Sequence, residues 1–341
     1  MRRAIAILLL CALVAACAPK APPEKEDVIS RTWPVIGAPF GVQIYGAETA
    51  VAEAAIAAAR AEVDRMVALA NPHAPQSDLS RINAAAGKEP AAVSPEVFTV
   101  LQLAQQVAEA SGGAFDVTFA GVGHLWNLKN PEAALPTEAD IATALKLVGY
   151  RHLHLDAATR TAFLDQTGMS VGLGAIAPGW LADILVQVMR THGIANAIVD
   201  ASGDMIAIGS REGKPFRIGI RHPRRAAGEN YAVLRVMGDL AVATSGDYER
   251  FVMRGGVRYH HIIDPRVGRP APLCQSVTIL GPHAALADAL ATAVFVLGPQ
   301  KGLTMLAEKY PAYAALIIDA AGREHTSANF AQRVQIKRME N

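Results

Sequence analysis

The chain has 341 residues, 51% of them hydrophobic and 18% charged, with 32 basic side chains against 31 acidic ones. That length is enough to bury a substantial core in one large domain or two fused lobes, and the apolar share excludes a disordered chain. A net charge of +1 supplies no basic field to gather nucleic acid, so nucleic acid is not an expected partner.

In chain order, the first signal is a leader. Arg2 and Arg3 precede an apolar run from Ala4 to Ala16, which at 13 residues is too short to span a bilayer. The run ends in Val14-Ala15-Ala16-Cys17. This resembles a bacterial lipobox, in which small residues admit the peptidase and the cysteine thiol accepts a diacylglycerol. The expected division is a lipoprotein signal peptide over 1–16, a lipidated tether over 17–32 and a folded domain over 33–335. Such a protein sits in the bacterial periplasm, lipid-anchored to the inner or outer membrane. Removal of the leader leaves 30 basic and 31 acidic residues. Cys11 goes with it and Cys17 is lipidated, so Cys274 remains alone and a disulfide framework is excluded by counting. Residues 18–30 are Pro-rich and charged, as suits a tether.

Apolar spacing and alanine content predict a long amphipathic helix over 49–70 and a second over 95–110 that stops at Gly112-Gly113. Thr137-Glu138-Ala139-Asp140 is a capping-box variant opening a third helix. Strands are expected at 152–156, 162–165 and 170–176, then a helix over 178–190 with its proline in the first turn. The second half reads as strands at 195–199, 205–208, 216–221, 232–237, 241–244, 259–263, 277–280 and 314–318, with helices over 284–297 and 302–309. Strands clustered in the second half, with helices at both ends, indicate an α+β fold rather than regular βαβ repetition.

Five stretches carry candidate chemistry. In GLGAIAPGWLAD (172–183), Gly174 and Gly179 have the spacing of phosphate-loop glycines, but Trp180 and Leu181 follow where that loop needs Lys and Ser or Thr. Asp288 and Thr292 lie four residues apart on a predicted helix, so both oxygens project from one face. They are hard ligands that suit Mg²⁺, or else a capping acid and a packing threonine. In HHIIDPRVGRP (260–270), neighbouring strand residues face opposite sides, so only one of His260 and His261 faces a given cleft. TSGDYER (244–250) presents two hydroxyls before a glycine, where a turn can hold an anion. The glycines of SGGAFDVT (111–118) permit close backbone approach to a flat ligand.

Taken in order along the chain, SDLSRIN (77–83), SGGAFDVT, GLGAIAPGWLAD, VDASGDMIAIG (199–209), TSGDYER, HHIIDPRVGRP and ADALATA (287–293) resemble the ApbE family over roughly residues 33–320. Its members are FAD:protein FMN transferases, often periplasmic lipoproteins. They move the FMN half of FAD onto a Thr or Ser hydroxyl of a partner protein, commonly an electron-transfer subunit, and release AMP. The resemblance implies an ApbE-like α+β fold of two intimately fused lobes, with mixed or antiparallel sheets and flanking helices. By match to the family's motifs, Asp288, Thr292 and the backbone carbonyl of Ala175 ligate Mg²⁺, and His261 deprotonates or orients the incoming hydroxyl. The FAD-binding positions are Ile36, His73, Ala114, Phe115, Asp116, Gly172, Pro178 and Ile263. The sequence departs from the family's pattern in four places. Ile36-Gly37-Ala38 stands for a Met-Gly-Thr, His73 for an aromatic, Gly172 for an Asp, and Pro178 for a polar residue. Contacts made through the backbone survive such changes. The same residues also suit a Mg²⁺-dependent FAD pyrophosphatase, with water replacing the protein hydroxyl, or a non-catalytic flavin-binding lipoprotein.

Overall fold

The computed structural model describes residues 28–35, 37–130 and 132–339. The leader, Cys17, the tether up to residue 27 and Ile36 lie outside the described residues. The centre of the fold is one eight-stranded sheet. Its strands are β1 (Val28–Val35), β2 (Ala38–Tyr45), β3 (Ala197–Ala201), β4 (Asp204–Ile208), β5 (Leu240–Gly246), β6 (Cys274–Gly281), β7 (Ala314–Asp319) and β8 (Glu324–Thr326). Spatial order follows chain order, and each neighbouring pair is antiparallel. The other elements are inserted between consecutive strands, except for the short helix Phe330–Arg333 and the strand Gln335–Arg338, which follow β8. β1 starts at Val28, so residues 28–32, expected in the tether, are sheet.

The inner strands are buried on both faces, and side-chain alternation divides them between two cores. Val199, Ile206, Ala241, Ala243, Val277, Ile279, Ala315 and Ile317 point to a helical layer. Ile198, Ala207, Val242, Leu280, Leu316 and Ile318 point to the opposite side. The two fused lobes are the two sides of this one sheet.

The helical layer contains α1 (Thr49–Ala70), α2 (Pro95–Ala110), α3 (Ala177–Thr191) and α4 (Ala284–Lys309). In α1 the buried residues Ala52, Ile56, Ala59, Val63 and Met66 form the stripe that the sequence spacing predicts. α2 begins at Ser94, whose hydroxyl accepts from the Val97 N–H. α4 is buried on nearly every side, against β5 and β6, α2 and α3, which explains its run of alanines. Among the described residues it is the one helix long and apolar enough to cross a membrane, and its place in the core accounts for that composition. As expected from 284–297 and 302–309, α4 consists of two helical pieces that meet at a kink, where Gly298 has non-helical backbone (φ 77°, ψ 174°) and Pro299 follows. The opposite side is covered by a small antiparallel sheet of Phe216–Arg221, Asn230–Val236 and Gln335–Arg338.

One expected strand is absent and another is broken. Residues 170–176 are irregular and turn into α3. The Asn83 carboxamide pairs with both backbone groups of Val171 (2.8 and 3.2 Å), and the Gly172 N–H donates to the Val117 carbonyl (2.8 Å). A side chain and a loop therefore satisfy the backbone where a neighbouring strand was expected. The strand expected at 259–263 breaks after His260, because the Ile262 N–H donates to Nδ1 of His260 itself (3.3 Å).

Candidate active site

The site is built where α3 meets α4. Two contacts one turn apart lock the helices together. The Gly179 N–H donates to Asp288 Oδ2 (3.2 Å). In the other direction, the Asp183 carboxylate accepts from the Ala284 and Ala285 N–H groups, both at 2.9 Å. Asp183 thus supplies from another helix the cap that α4 lacks locally. Gly179 permits the approach: a Cβ there would lie 2.2 Å from the Ala284 carbonyl oxygen. Ala175 sits in the turn that leads into this contact, half-buried.

Asp288 is buried beside a second buried carboxylate, Asp204. Asp204 follows the tight turn joining β3 to β4, where Ser202 and Gly203 have φ of 60° and 101° and the Gly203 N–H donates to Asp200 Oδ1 (2.8 Å). Asp204 Oδ1 accepts from the Thr244 N–H (3.3 Å). One turn beyond Asp288, the Thr292 hydroxyl meets the Ser245 hydroxyl at 3.2 Å. Burial pushes both carboxyls above their ordinary range, Asp288 to about 6, and the Asp288 charge pushes Asp204 further up. Among the described residues, the groups that act most on the pair are backbone N–H groups and other carboxylates, none of them a lysine, arginine or histidine. A buried acid pair without a cationic neighbour, flanked by hydroxyls, fits a divalent cation held by oxygen donors. Among the described residues there is no cluster of three His, Cys, Asp or Glu side chains able to hold a metal. The oxygens gathered here are carboxylate and hydroxyl, the kind of donors that leave room for water and phosphate oxygens.

The adjacent histidines have separate environments. His260 is buried, with Nε2 at 3.0 Å from the Ala271 carbonyl and Nδ1 accepting from Ile262. Its ring packs edge-on against Phe295 of α4 at 5.6 Å. Both nitrogens are used, which fixes a neutral ring protonated on Nε2. His261 has a buried Nδ1 with no partner. Burial first, then the Arg250 charge and the neighbouring His260 ring, lower its pKa from 6.5 to about 4. It is a neutral imidazole with a lone pair or a proton to offer.

The ApbE family model matches residues 36–317. The chain belongs to the ApbE family. It is 37% identical to the FAD:protein FMN transferase of Treponema pallidum (strain Nichols), over 98% of this chain and 95% of that one. With the enzyme of the same name from Vibrio cholerae it shares 31% identity, over 97% of this chain and 98% of the relative. Two solved structures share its fold. The ApbE protein of Thermotoga maritima superposes with a TM-score of 0.80 at 29% identity, covering 90% of this chain and 99% of that one. Flavin transferase ApbE from Vibrio cholerae gives 0.79 at 29% identity, covering 91% and 100%.

Within this ApbE fold, the remaining residues singled out by resemblance fall into three places. Gly172 and 114–116 are brought together, since Gly172 bonds to Val117. Ala114 and Phe115 are buried in the core. The Asp116 carboxylate is occupied: Oδ1 accepts from the N–H and hydroxyl of Thr118, and Oδ2 from the Tyr150 N–H, all at 2.7 Å. Its pKa is raised by burial against these bonds. Gly113, next in line, has Tyr150 and Arg266 beside it, which brings this segment to the loop containing buried Ile263. Pro178 lies in the first turn of α3, one residue before Gly179. His73 is exposed on the loop after α1, its N–H donating to Asn71 Oδ1 (3.0 Å), and none of its described contacts reaches the other positions. Sequence reading missed Asp204 and Ser245 as members of the acid site. Both lie in motifs that carry the family resemblance, but only the fold places them against Asp288 and Thr292.

Proposed function

We propose that this ApbE protein is an FAD:protein FMN transferase, forming a phosphoester between the FMN half of FAD and a Thr or Ser hydroxyl of an exported partner. The observation that carries the reading is the buried Asp204–Asp288 pair beside Thr292, at a turn whose backbone is open to a ligand. Asp288, Thr292 and the Ala175 carbonyl would hold Mg²⁺, with Asp204 beside them. Bound there, the ion would neutralise pyrophosphate charge and polarise the reacting phosphoryl group. That role explains how a glycine-rich turn serves a pyrophosphate without the phosphate-loop lysine.

The protein's own groups supply positioning and proton transfer. His261, neutral with an unpartnered Nδ1, orients the acceptor hydroxyl and takes its proton as the oxygen bonds to the FMN phosphorus. The bridging P–O bond breaks and AMP leaves. The 113–116 segment and the loop at Ile263 form the wall nearest the flavin, in contact largely through backbone. The leader and Cys17 support a periplasmic, lipid-anchored location, which fits a partner that is a membrane-associated electron-transfer subunit.

The test is incubation of the purified protein with FAD, Mg²⁺ and a flavin-acceptor domain, followed by intact mass measurement. A covalent FMN increment on the acceptor is expected, and Asp288→Ala is expected to abolish it. An acceptor that stays unmodified here but is flavinylated by another transferase rejects the reading. Accumulation of FMN and AMP without acceptor would instead indicate hydrolysis.

A further inference from the structure

The far side of the molecule has a feature that flavin transfer does not use. A cleft of about 550 Å³ on the outer face of the small sheet is lined by Arg211, Lys214, Arg217, Arg235 and Lys337, with no carboxylate among the described residues of its walls. The register sets the cations side by side: Arg217 pairs with Arg235 across one strand boundary, and Gln335–Arg338 brings Lys337 along the other edge. All five are exposed. Lys214, Arg217, Arg235 and Lys337 have no acidic partner among the described residues. Glu212 shares the turn with Arg211 and Lys214 but does not line the cleft. Met237, 57% exposed, follows the strand that carries Arg235. In a chain of net charge +1, such a concentration is local and not a reflection of overall basicity.

Its place in the fold suggests what it meets. The Arg211 guanidinium lies 5.9 Å from the Tyr45 ring centre, and Phe216 packs on that ring at 5.5 Å. Tyr45 is the register partner of Val28, where the described chain begins. Ten residues, 18–27, separate Val28 from Cys17, a reach of at most about 36 Å. The basic face is therefore at the end of the sheet where the anchor segment joins it. The acid site is at the other end: Asp204 starts β4, and the strand leads away from it for about 16 Å before reaching the Arg211 turn. The same polarity is seen in the small sheet, where Phe216 touches Tyr45 while Arg221 lies 4.9 Å from the Tyr248 ring centre.

We propose that the basic face formed by Arg211, Lys214, Arg217, Arg235 and Lys337 docks on the anionic phospholipid headgroups of a membrane, so that the Asp204–Asp288 site points away from the bilayer. Several cations with one exposed methionine match a headgroup layer, in which phosphates meet the charges and the apolar side chain enters the interface. A single lipid anchor holds a protein only reversibly, and a polybasic patch is the usual second attachment. The proposal uses the lipid-anchor reading of Cys17 for the reach of the tether alone.

The experiment is flotation of the full chain with vesicles of phosphatidylcholine, compared with equal parts phosphatidylcholine and phosphatidylglycerol. The readout is the gain in partitioning that phosphatidylglycerol provides. Each cation near such a surface contributes about fivefold, so Arg217→Gln/Arg235→Gln/Lys337→Gln should lower that gain by about a hundredfold. The charge-preserving Arg217→Lys/Arg235→Lys should keep it, and salt should weaken it. The intact mass of the membrane-extracted chain reports separately on Cys17. Headgroup-dependent binding that persists on a chain with unmodified Cys17 supports the docking face while rejecting the anchor. An unchanged gain in the triple Gln variant overturns the proposal, as does binding of a soluble acidic peptide with no phosphatidylglycerol dependence.

Discussion

Nδ1 of His261 is buried without a partner, whereas both ring nitrogens of the adjacent His260 are engaged. Strand alternation requires that the two differ, and the contacts of His260 decide which one is available for chemistry. The environment of His261 has a measurable consequence. Its pKa in the fold, about 4, lies below the ordinary 6.5, so the unfolded chain binds the extra proton first on acidification. The stability associated with the neutral ring is complete above about pH 6.5 and is lost as pH falls towards about 4. Relative to His261→Gln, the native protein should lose on the order of 3 kcal/mol between those limits. Thermal melts of both proteins across that range measure it, and parallel curves would contradict it. The same shift keeps His261 a proton acceptor in mildly acidic medium, though a weak base until substrate phosphate approaches.

At the scale of elements, the geometry of the acid site depends on how closely α3 approaches α4. Gly179 has the Ala284 carbonyl oxygen at 2.2 Å and its carbon at 2.6 Å from the position of a Cβ. These are backbone atoms at a helix start that Asp183 already holds, so no flexible side chain can yield. Gly179→Ala should cost about 2 kcal/mol through overpacking. It should also weaken Mg²⁺ binding, because the Gly179 N–H leaves Asp288. Gly174 in the same turn has no atom within 4 Å of its Cβ position, so Gly174→Ala serves as the control. Urea unfolding midpoints and Mg²⁺ titration compare the two variants. Equal midpoints would show that the helices separate freely.

For the whole molecule, the sequential order of the sheet makes the late elements as necessary as the early ones. The family match ends at residue 317, yet β8 and the strand Gln335–Arg338 complete the two sheets beyond it. Phe330 and Val334 are buried in the core between those sheets. Truncation after Thr326 removes both, together with one edge of the small sheet. The lost burial is worth about 3 kcal/mol or more, and it leaves the strand Asn230–Val236 as an open edge. A lowered melting temperature and self-association in size-exclusion chromatography are the expected results. An unchanged melt would mean that the second core is closed without these residues.

Local physics made several features legible in the sequence alone. α1 and α2 have the limits that apolar spacing predicts, and Thr137 with Asp140 forms the expected capping box. Caps and periodicity act within a turn or two of the chain, so they can be read without knowing what lies opposite. The family motifs likewise mark the loops at the site. Tertiary structure decided what was non-local. The Asn83 carboxamide replaced a strand neighbour at Val171. Asp204 joined Asp288 because the hairpin after β3 ends where α4 begins to bury its first turns. The basic face was assembled from the turn at Arg211 and three strands whose register is fixed by the core beneath them. Side-chain spacing specifies which residues share a face. The partner of that face is chosen by the surface the whole chain must bury.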